Sequence, residues 1–304
     1  MGKIVVIGSS NTDMVVNSSK MPSPGETIMG DEFNVFPGGK GANQAVAVAR
    51  ANSEVAFIAK VGDDDFGKNA IAGYKADKIN TDNIFIDPLI ASGVAVIIVE
   101  KPTGQNAIVV ASGANNTLSI DEIKSCEKAI AEADLMLVQL EIPLAVVEYS
   151  LKIAKQNGVR TILNPAPALH LSDNILSLVD IITPNETESH ILTGVNPEND
   201  DKIKEAASWL LDKVNEAVMI TLGAKGVYYI SKDGDGGLVP GTQVEAIDTT
   251  AAGDVFNGYL AAGLANGKTY KEAIALANKA AAISVTRKGA QPSIPHIIEV
   301  NVSI

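Results

Sequence analysis

Apolar residues in this chain come in short unbroken runs, separated by stretches with helical periodicity. "KIVVIGS" (3–9) reads as a strand and "GANQAVAVARA" (41–51) as a helix rich in small residues. "EVAFIAKVG" (54–62) reads as a strand and "FGKNAIAGYKADK" (66–78) as a helix. The alternation continues through "LMLVQLE" (135–141), "VVEYSLKIAKQNG" (146–158), "TILNPAP" (161–167), "DIITPNE" (180–186), "IKEAASWLLDKV" (203–214) and "AVMITLG" (217–223). A strand that is apolar at every position is buried on both faces. Such strands alternating with helices predict an α/β fold whose parallel sheet is covered on both sides. Two helices, 252–267 and 270–289, close the chain.

Two regions, 13–37 and 92–112, break the alternation and read as strand-rich, with "EKPTGQ" (100–105) as a hairpin turn. They could pair into a small second sheet, serving as a lid over a site or as a dimer surface. The alternative is two hairpins that extend the main sheet. With no repeat or linker, residues 1–304 are taken as one α/β domain carrying these inserted strands.

The net charge of −12 argues against nucleic acid or an anionic membrane surface as a partner. It does not argue against ATP, because a local nest of amides holds phosphate inside an acidic protein. The single cysteine, Cys126, lies in "IKSCEKAI", which reads as a helix, so it is expected to be a packed thiol in a reducing compartment. No secretory signal pattern or spanning apolar run is present, and a cytoplasmic location is expected. His170, His190 and His296 lack metal-ligand spacing, which makes a zinc site unexpected. "GDDDFGKN" (62–69) approaches a P-loop but ends in Asn69, without the hydroxyl that binds Mg²⁺.

Candidate chemistry concentrates in a few polar stretches. In "DTTAAGDVFNG" (248–258) a strand is expected to end at Asp248 and a helix to begin near Ala252. The first N–H groups of a helix have no internal partners, and its dipole favours anions there. Ala251, Ala252 and Gly253 leave those amides uncovered, with Asp254 beside them. A carboxylate so placed can take a proton from an attacking hydroxyl while the amides hold developing phosphoryl charge. The alternative is a helix whose first turn simply carries an acid.

"PGGKGANQA" (37–45) offers Gly38 and Gly39 for close backbone approach, Lys40 as a cation and Asn43 as a polar contact. Asn11 and Asp13 follow the first strand and Glu141 ends another, the strand ends where α/β sheets bind ligands. Amides and carboxylates there suit sugar hydroxyls. Asn185 and Glu188 in "TPNETES" could position Mg²⁺ through water, or could form a capping box. "TLGAKGVYYI" (221–230) reads as strand, glycine turn and strand, and "VTRKGAQPS" (285–293) as a polar loop.

Taken in order, "GSSNTD", "PGET", "GGKGANQA", "NPAPA", "ITPNETE", "ITLGAKG", "DTTAAGD" and "TRKGAQPS" resemble the PfkB family of sugar and nucleoside kinases, its ribose-phosphorylating members in particular. The resemblance runs nearly end to end. It implies a central, mostly parallel sheet flanked by helices, with a small β-sheet lid that doubles as a homodimer clasp. It implies transfer of the ATP γ-phosphate to the 5-hydroxyl of D-ribose. By that resemblance Asp254 is the catalytic base, and the amides of Ala251, Ala252 and Gly253 form the anion hole. Asn11, Asp13, Gly39, Lys40, Asn43 and Glu141 match sugar-binding positions. Asn185, Thr221, Gly223, Gly226, Gly253 and Asn278 match the nucleotide site, and Glu188 the Mg²⁺-linked acid. Asp248, Thr250, Ser284, Arg287, Gly289 and Ser293 match loops that hold an activating monovalent cation, usually K⁺.

Thr250 stands where the family often has an apolar residue, and Asn278 where a histidine is common. The polar acceptor residues, and the shortage of aromatics to stack a nucleobase, favour a free sugar. Deoxyribose or fructose kinases are the alternatives within the family. A sugar-binding regulator without catalysis is the alternative from another class, though it would be expected to lack Asp254. A dinucleotide-dependent dehydrogenase would need G-x-G-x-x-G after the first strand, which "GSSNTD" does not supply.

Overall fold

A computed structural model describes residues 1–103 and 105–302. Its strands are β1 (Lys3–Ile7), β2 (Asn11–Ser18), β3 (Glu32–Gly38), β4 (Glu54–Gly62), β5 (Ile84–Asp87), β6 (Gly93–Glu100), β7 (Asn106–Ala111), β8 (Leu135–Val138), β9 (Arg160–Leu163), β10 (Ile181–Ile182), β11 (Ala217–Thr221), β12 (Gly226–Ser231) and β13 (Gly236–Pro240). Among the described residues they form two sheets. The larger runs β13-β12-β11-β10-β9-β8-β1-β4-β5 and the smaller β3-β2-β6-β7. From β11 to β5 every pairing is parallel; β12 and β13 return antiparallel at one edge.

Period-two alternation divides the core between the two faces of the large sheet. Ile4, Val6, Leu135, Leu137 and Met219 face the helices Lys40–Arg50, Ala252–Ala265 and Tyr270–Ser284. Val5, Ile7, Met136, Val138 and Val218 face the helices Leu144–Gln156 and Asp200–Leu211. Small residues let two of these helices touch. A Cβ on Gly258 would lie 2.4 Å from the Ala47 Cβ and 2.8 Å from the Gln44 carbonyl oxygen.

The regions 13–37 and 92–112 pair with each other, as a separate sheet rather than an extension of the main one. Directly paired residues share a face, so Asp13, Phe36, Ala95 and Val110 lie on one side. Val35, Met14, Val96 and Val109 lie on the other.

Three local expectations change. No strand ends at Asp248; residues 241–249 cross the top of the sheet as irregular chain, which suits their polar and small composition. The helix expected through Cys126 breaks there into Ile120–Ser125 and Glu127–Ala131, with the thiol buried. The last long helix stops at Ser284, ahead of the "TRKG" turn. No helix among the described residues is long and apolar enough to cross a membrane.

Candidate active site

Helix Ala252–Ala265 begins immediately after Ala251, which adopts a left-handed conformation (φ 61°) rare for a residue with a Cβ. The turn aims the free helix end across the top of the sheet. The Ala252 N–H is drawn back to the Thr249 carbonyl at 3.2 Å, so of the three expected anion-hole amides this one is already engaged. Gly253 N–H has no partner inside the helix, and a Cβ on Gly253 would meet open space. Asp254, in the first turn, is 7% exposed. Its Oδ2 accepts from Asn43 Nδ2 and its Oδ1 from Gln44 Nε2, each at 2.9 Å. Burial pushes the Asp254 carboxyl above its ordinary value, with Lys40 and the two amides opposing and Glu141 adding to the rise.

The acceptor side is built from strand ends and the glycine turn. Gly39 sits at φ 89°, and a Cβ there would come within 2.6 Å of the Asn11 amide nitrogen. A Cβ on Gly38 would collide with the Asp13 carboxylate at 2.3 Å. Both glycines therefore let the turn close onto β2. Glu141 Oε2 accepts from Ser9 Oγ at 2.5 Å and from Lys40 N–H at 3.2 Å. The Lys40 ammonium resists burial but is raised overall by Asp254, Glu141, Glu188 and Asp13. One cation thus faces four acids, and Asp13 rises to about 6 through burial first, then Glu141 and Asp254.

On the other side of the helix start lies a cavity of about 280 Å³. Thr221, Gly223, Gly226, Gly253 and Asn278 line it, together with apolar Val227, Val244 and Val285. The Asn278 side-chain amide donates to the Pro240 carbonyl at 3.2 Å. Asn185 bridges to Thr221 at the cavity's edge. Asn185 and Glu188 do form a capping box: Glu188 Oε2 accepts from Asn185 N–H at 2.9 Å and Asn185 Oδ1 accepts from Glu188 N–H at 2.8 Å. Burial holds the Glu188 carboxyl above its ordinary range, against the Asn185 N–H bond and Lys40.

Asp248 ties two loops together. Its Oδ1 accepts from Thr250 N–H at 2.9 Å and its Oδ2 from Gly289 N–H at 2.8 Å. Burial pushes this carboxyl up, but those bonds and Lys288 outweigh it and leave it low. The Val285 carbonyl accepts from both Ile247 and Asp248 N–H, and Ser284 and Ser293 are buried beside these turns. Arg287 instead turns its guanidinium to Glu299.

The site is therefore a buried carboxylate at a helix start, flanked by a polar strand-end cluster and a mostly apolar cavity. Residues 1–297 match the family described as pfkB family carbohydrate kinase. The chain belongs to the pfkB family of carbohydrate kinases. Within that family it is 49% identical to a ribokinase of Haemophilus influenzae, over 96% of this chain and 95% of the relative. It is 39% identical to a deoxyribokinase of Salmonella typhi, over 98% of this chain and 97% of the relative. The fold matches the structure of an Arabidopsis thaliana ribokinase complexed with ribose and ATP, with a TM-score of 0.91, 29% identity and coverage of 100% and 99%.

Sequence reasoning on this pfkB kinase missed Ser9, Gln44, Gln139 and Asn164, all buried polar residues behind the cluster. Ser9, Gln44 and Asn164 sat inside quoted motifs and Gln139 inside a quoted strand. What marked them was a polar side chain within an otherwise apolar or small-residue run, a signal that burial alone turns into a role.

Proposed function

We propose that this pfkB kinase transfers the γ-phosphoryl group of ATP to the 5-hydroxyl of D-ribose, giving D-ribose 5-phosphate and ADP. The observation that carries the reading is Asp254: buried, gripped through both oxygens, and one residue from an open amide at a helix start. Near-complete coverage by a ribokinase at 49% identity supports the acceptor. Asp254 takes the hydroxyl proton as the oxygen attacks phosphorus. The Gly253 amide and the helix dipole receive charge on the transferred group. Asn11, Asp13, Asn43 and Glu141 hold the sugar, with Lys40 balancing their charge.

Mg²⁺, when bound with ATP, neutralises phosphate charge. Both Glu188 oxygens already accept bonds from Asn185, so this acid suits contact through water rather than direct ligation. The loops joined by Asp248 offer a carboxylate, backbone carbonyls and buried hydroxyls, the hard oxygen donors that a K⁺ ion accepts.

The smaller sheet is the lid. Both its faces carry apolar side chains, so it needs cover on both. The face bearing Asp13 closes over the cleft, and the face bearing Phe33, Val35, Val96 and Val109 is covered by a second copy, giving a homodimer. The net charge of −12 supports neither nucleic acid nor membrane as a partner, and one cysteine suits the cytoplasm.

The deciding assay is ADP release with Mg-ATP and K⁺, comparing D-ribose with 2-deoxyribose, fructose and no acceptor. Preference for ribose supports the reading. Preference for 2-deoxyribose favours the second reading, which rests on the deoxyribokinase relative. Replacing Asp254 by Asn should lower turnover about 100- to 10,000-fold while sugar binding persists; turnover within tenfold of wild type would remove Asp254 as the base.

A further inference from the structure

Asp254 is backed by a chain of buried amides that the reaction outlined above does not use. Gln44 has no exposed surface. Its Nε2 donates to Asp254 Oδ1 at 2.9 Å and to Asn164 Oδ1 at 3.0 Å, which uses both of its hydrogens. Its Oε1 accepts from Gln139 Nε2 at 2.6 Å. Asn164 Nδ2 in turn donates to the Thr183 backbone carbonyl at 3.3 Å.

The direction of this chain is not arbitrary. A backbone carbonyl only accepts, so Asn164 must turn its NH₂ towards Thr183 and its oxygen towards Gln44. Gln44 must then donate to Asn164, and the same NH₂ group reaches Asp254. Gln139 follows this order, presenting its NH₂ to the Gln44 oxygen. A flipped Gln44 would set an amide oxygen against a carboxylate at 2.9 Å and against the Asn164 oxygen.

The two oxygens of Asp254 therefore differ. Oδ1 points into this buried amide network, whose far end, Gln139 Oε1, has no hydrogen-bond partner among the described residues. Oδ2 lies beside Asn43, whose own buried Oδ1 has no hydrogen-bond partner among the described residues. Such an orphan acceptor marks the side on which a hydroxyl is received.

We propose that Gln44 is a positioning residue for phosphoryl transfer: it locks Oδ1 of Asp254 so that Oδ2 alone faces the acceptor hydroxyl and takes its proton. Asn164, anchored on the Thr183 carbonyl, sets the polarity of the Gln44 amide, and Gln139 steadies its oxygen. This rests on Asp254 being the base.

Gln44→Met preserves side-chain length and removes both N–H groups. Turnover should fall about 10- to 100-fold, the range for losing a buried bond to a charged group. D-Ribose affinity, measured by calorimetry, should change by less than about threefold, because the lost bond lies on the face of Asp254 away from the sugar. The acid limb of the kcat/KM profile should move upward by about one pH unit, since the ionised carboxylate has lost a donor. Gln139→Met leaves Gln44 in place and oriented by Asn164 and Asp254, but removes the one donor to its oxygen and so loosens its hold. It should lower turnover by about 2- to 10-fold, with the acid limb moving the same way.

A wild-type acid limb and turnover in folded Gln44→Met would overturn the proposal, as would a raised KM with unchanged kcat. If Gln44→Met does not fold, an unchanged profile in Gln139→Met overturns it equally. Asp254→Asn separates the two levels. Activity retained there removes the base and this inference together, whereas its loss alongside a normal Gln44→Met removes only the role of Gln44.

Discussion

Replacing Asp13 by Asn should stabilise the free protein at neutral pH and weaken its hold on the sugar. Burial, Glu141 and Asp254 raise the Asp13 carboxyl from its ordinary 3.8 to about 6, with Lys40 pulling the other way. At 1.36 kcal/mol per pH unit, a rise of that size costs the ionised folded state about 3 kcal/mol. The sign follows from proton counts. Between about pH 4 and pH 6 the folded carboxyl keeps a proton that the unfolded chain has lost, so stability falls as pH rises. Above pH 6 both states are ionised and the full cost is present. Below about pH 4 both are protonated and the cost vanishes.

An asparagine does not titrate, and the Asp13 carboxylate receives no hydrogen bond among the described residues, so little else is lost. The stability gain of Asp13→Asn should be about 3 kcal/mol at pH 7.5 and about half that at pH 5. Urea unfolding of both proteins at these two pH values measures it. A gain that is the same at both, or a loss at pH 7.5, would refute the electrostatic argument. D-Ribose affinity at pH 7.5 should fall about tenfold, as expected when a charged acceptor is replaced by a neutral one.

Three further outcomes are expected. Gly258→Val should cost about 3 kcal/mol in a denaturant melt, because its side chain would enter the contact with Ala47 and the Gln44 carbonyl. Asp248→Ala unties Thr250 from Gly289; under the proposed cation site, the unaltered chain should run faster in K⁺ than in a large organic cation, and the variant should lose that difference while still binding D-ribose. The proposed homodimer predicts that Phe33→Asp combined with Val109→Asp, on the small-sheet face away from Asp13, yields monomers by sedimentation without unfolding the α/β body, whereas the unaltered chain sediments as a dimer.

The large sheet was legible because its strands are apolar throughout and its helices periodic. Ile4 to Ile7 could hardly be anything but a central strand. The loop before Ala252 was not legible as such: "GTQVEAID" mixes β-branched and polar residues like an edge strand, and only the left-handed Ala251 and the bonds from Ile247 and Asp248 to Val285 define its path. At the site, charged residues next to glycines stood out. The neutral amides did not, because a glutamine in a helix reads as surface until packing buries it. The Ala252 amide shows the same limit in reverse, since its bond to Thr249 is a property of turn geometry and not of residue type.

The contact of Gly258 with Ala47 has a consequence for how this scaffold can be altered. One helix carries Asn43 and Gln44, the other Asp254, and nothing thicker than a hydrogen atom and a methyl group keeps them apart. That contact is a gauge block: it sets the gap across which two amides meet one carboxylate. A designer seeking a new acceptor can vary Asn11 or Asp13 on their own strand and leave the gauge untouched. Enlarging either member of the gauge re-machines the gap at Asp254 whatever the pocket contains. A smaller residue at 47 would not release position 258, whose Cβ would still meet the Gln44 carbonyl oxygen at 2.8 Å and the Val48 amide nitrogen at 3.1 Å.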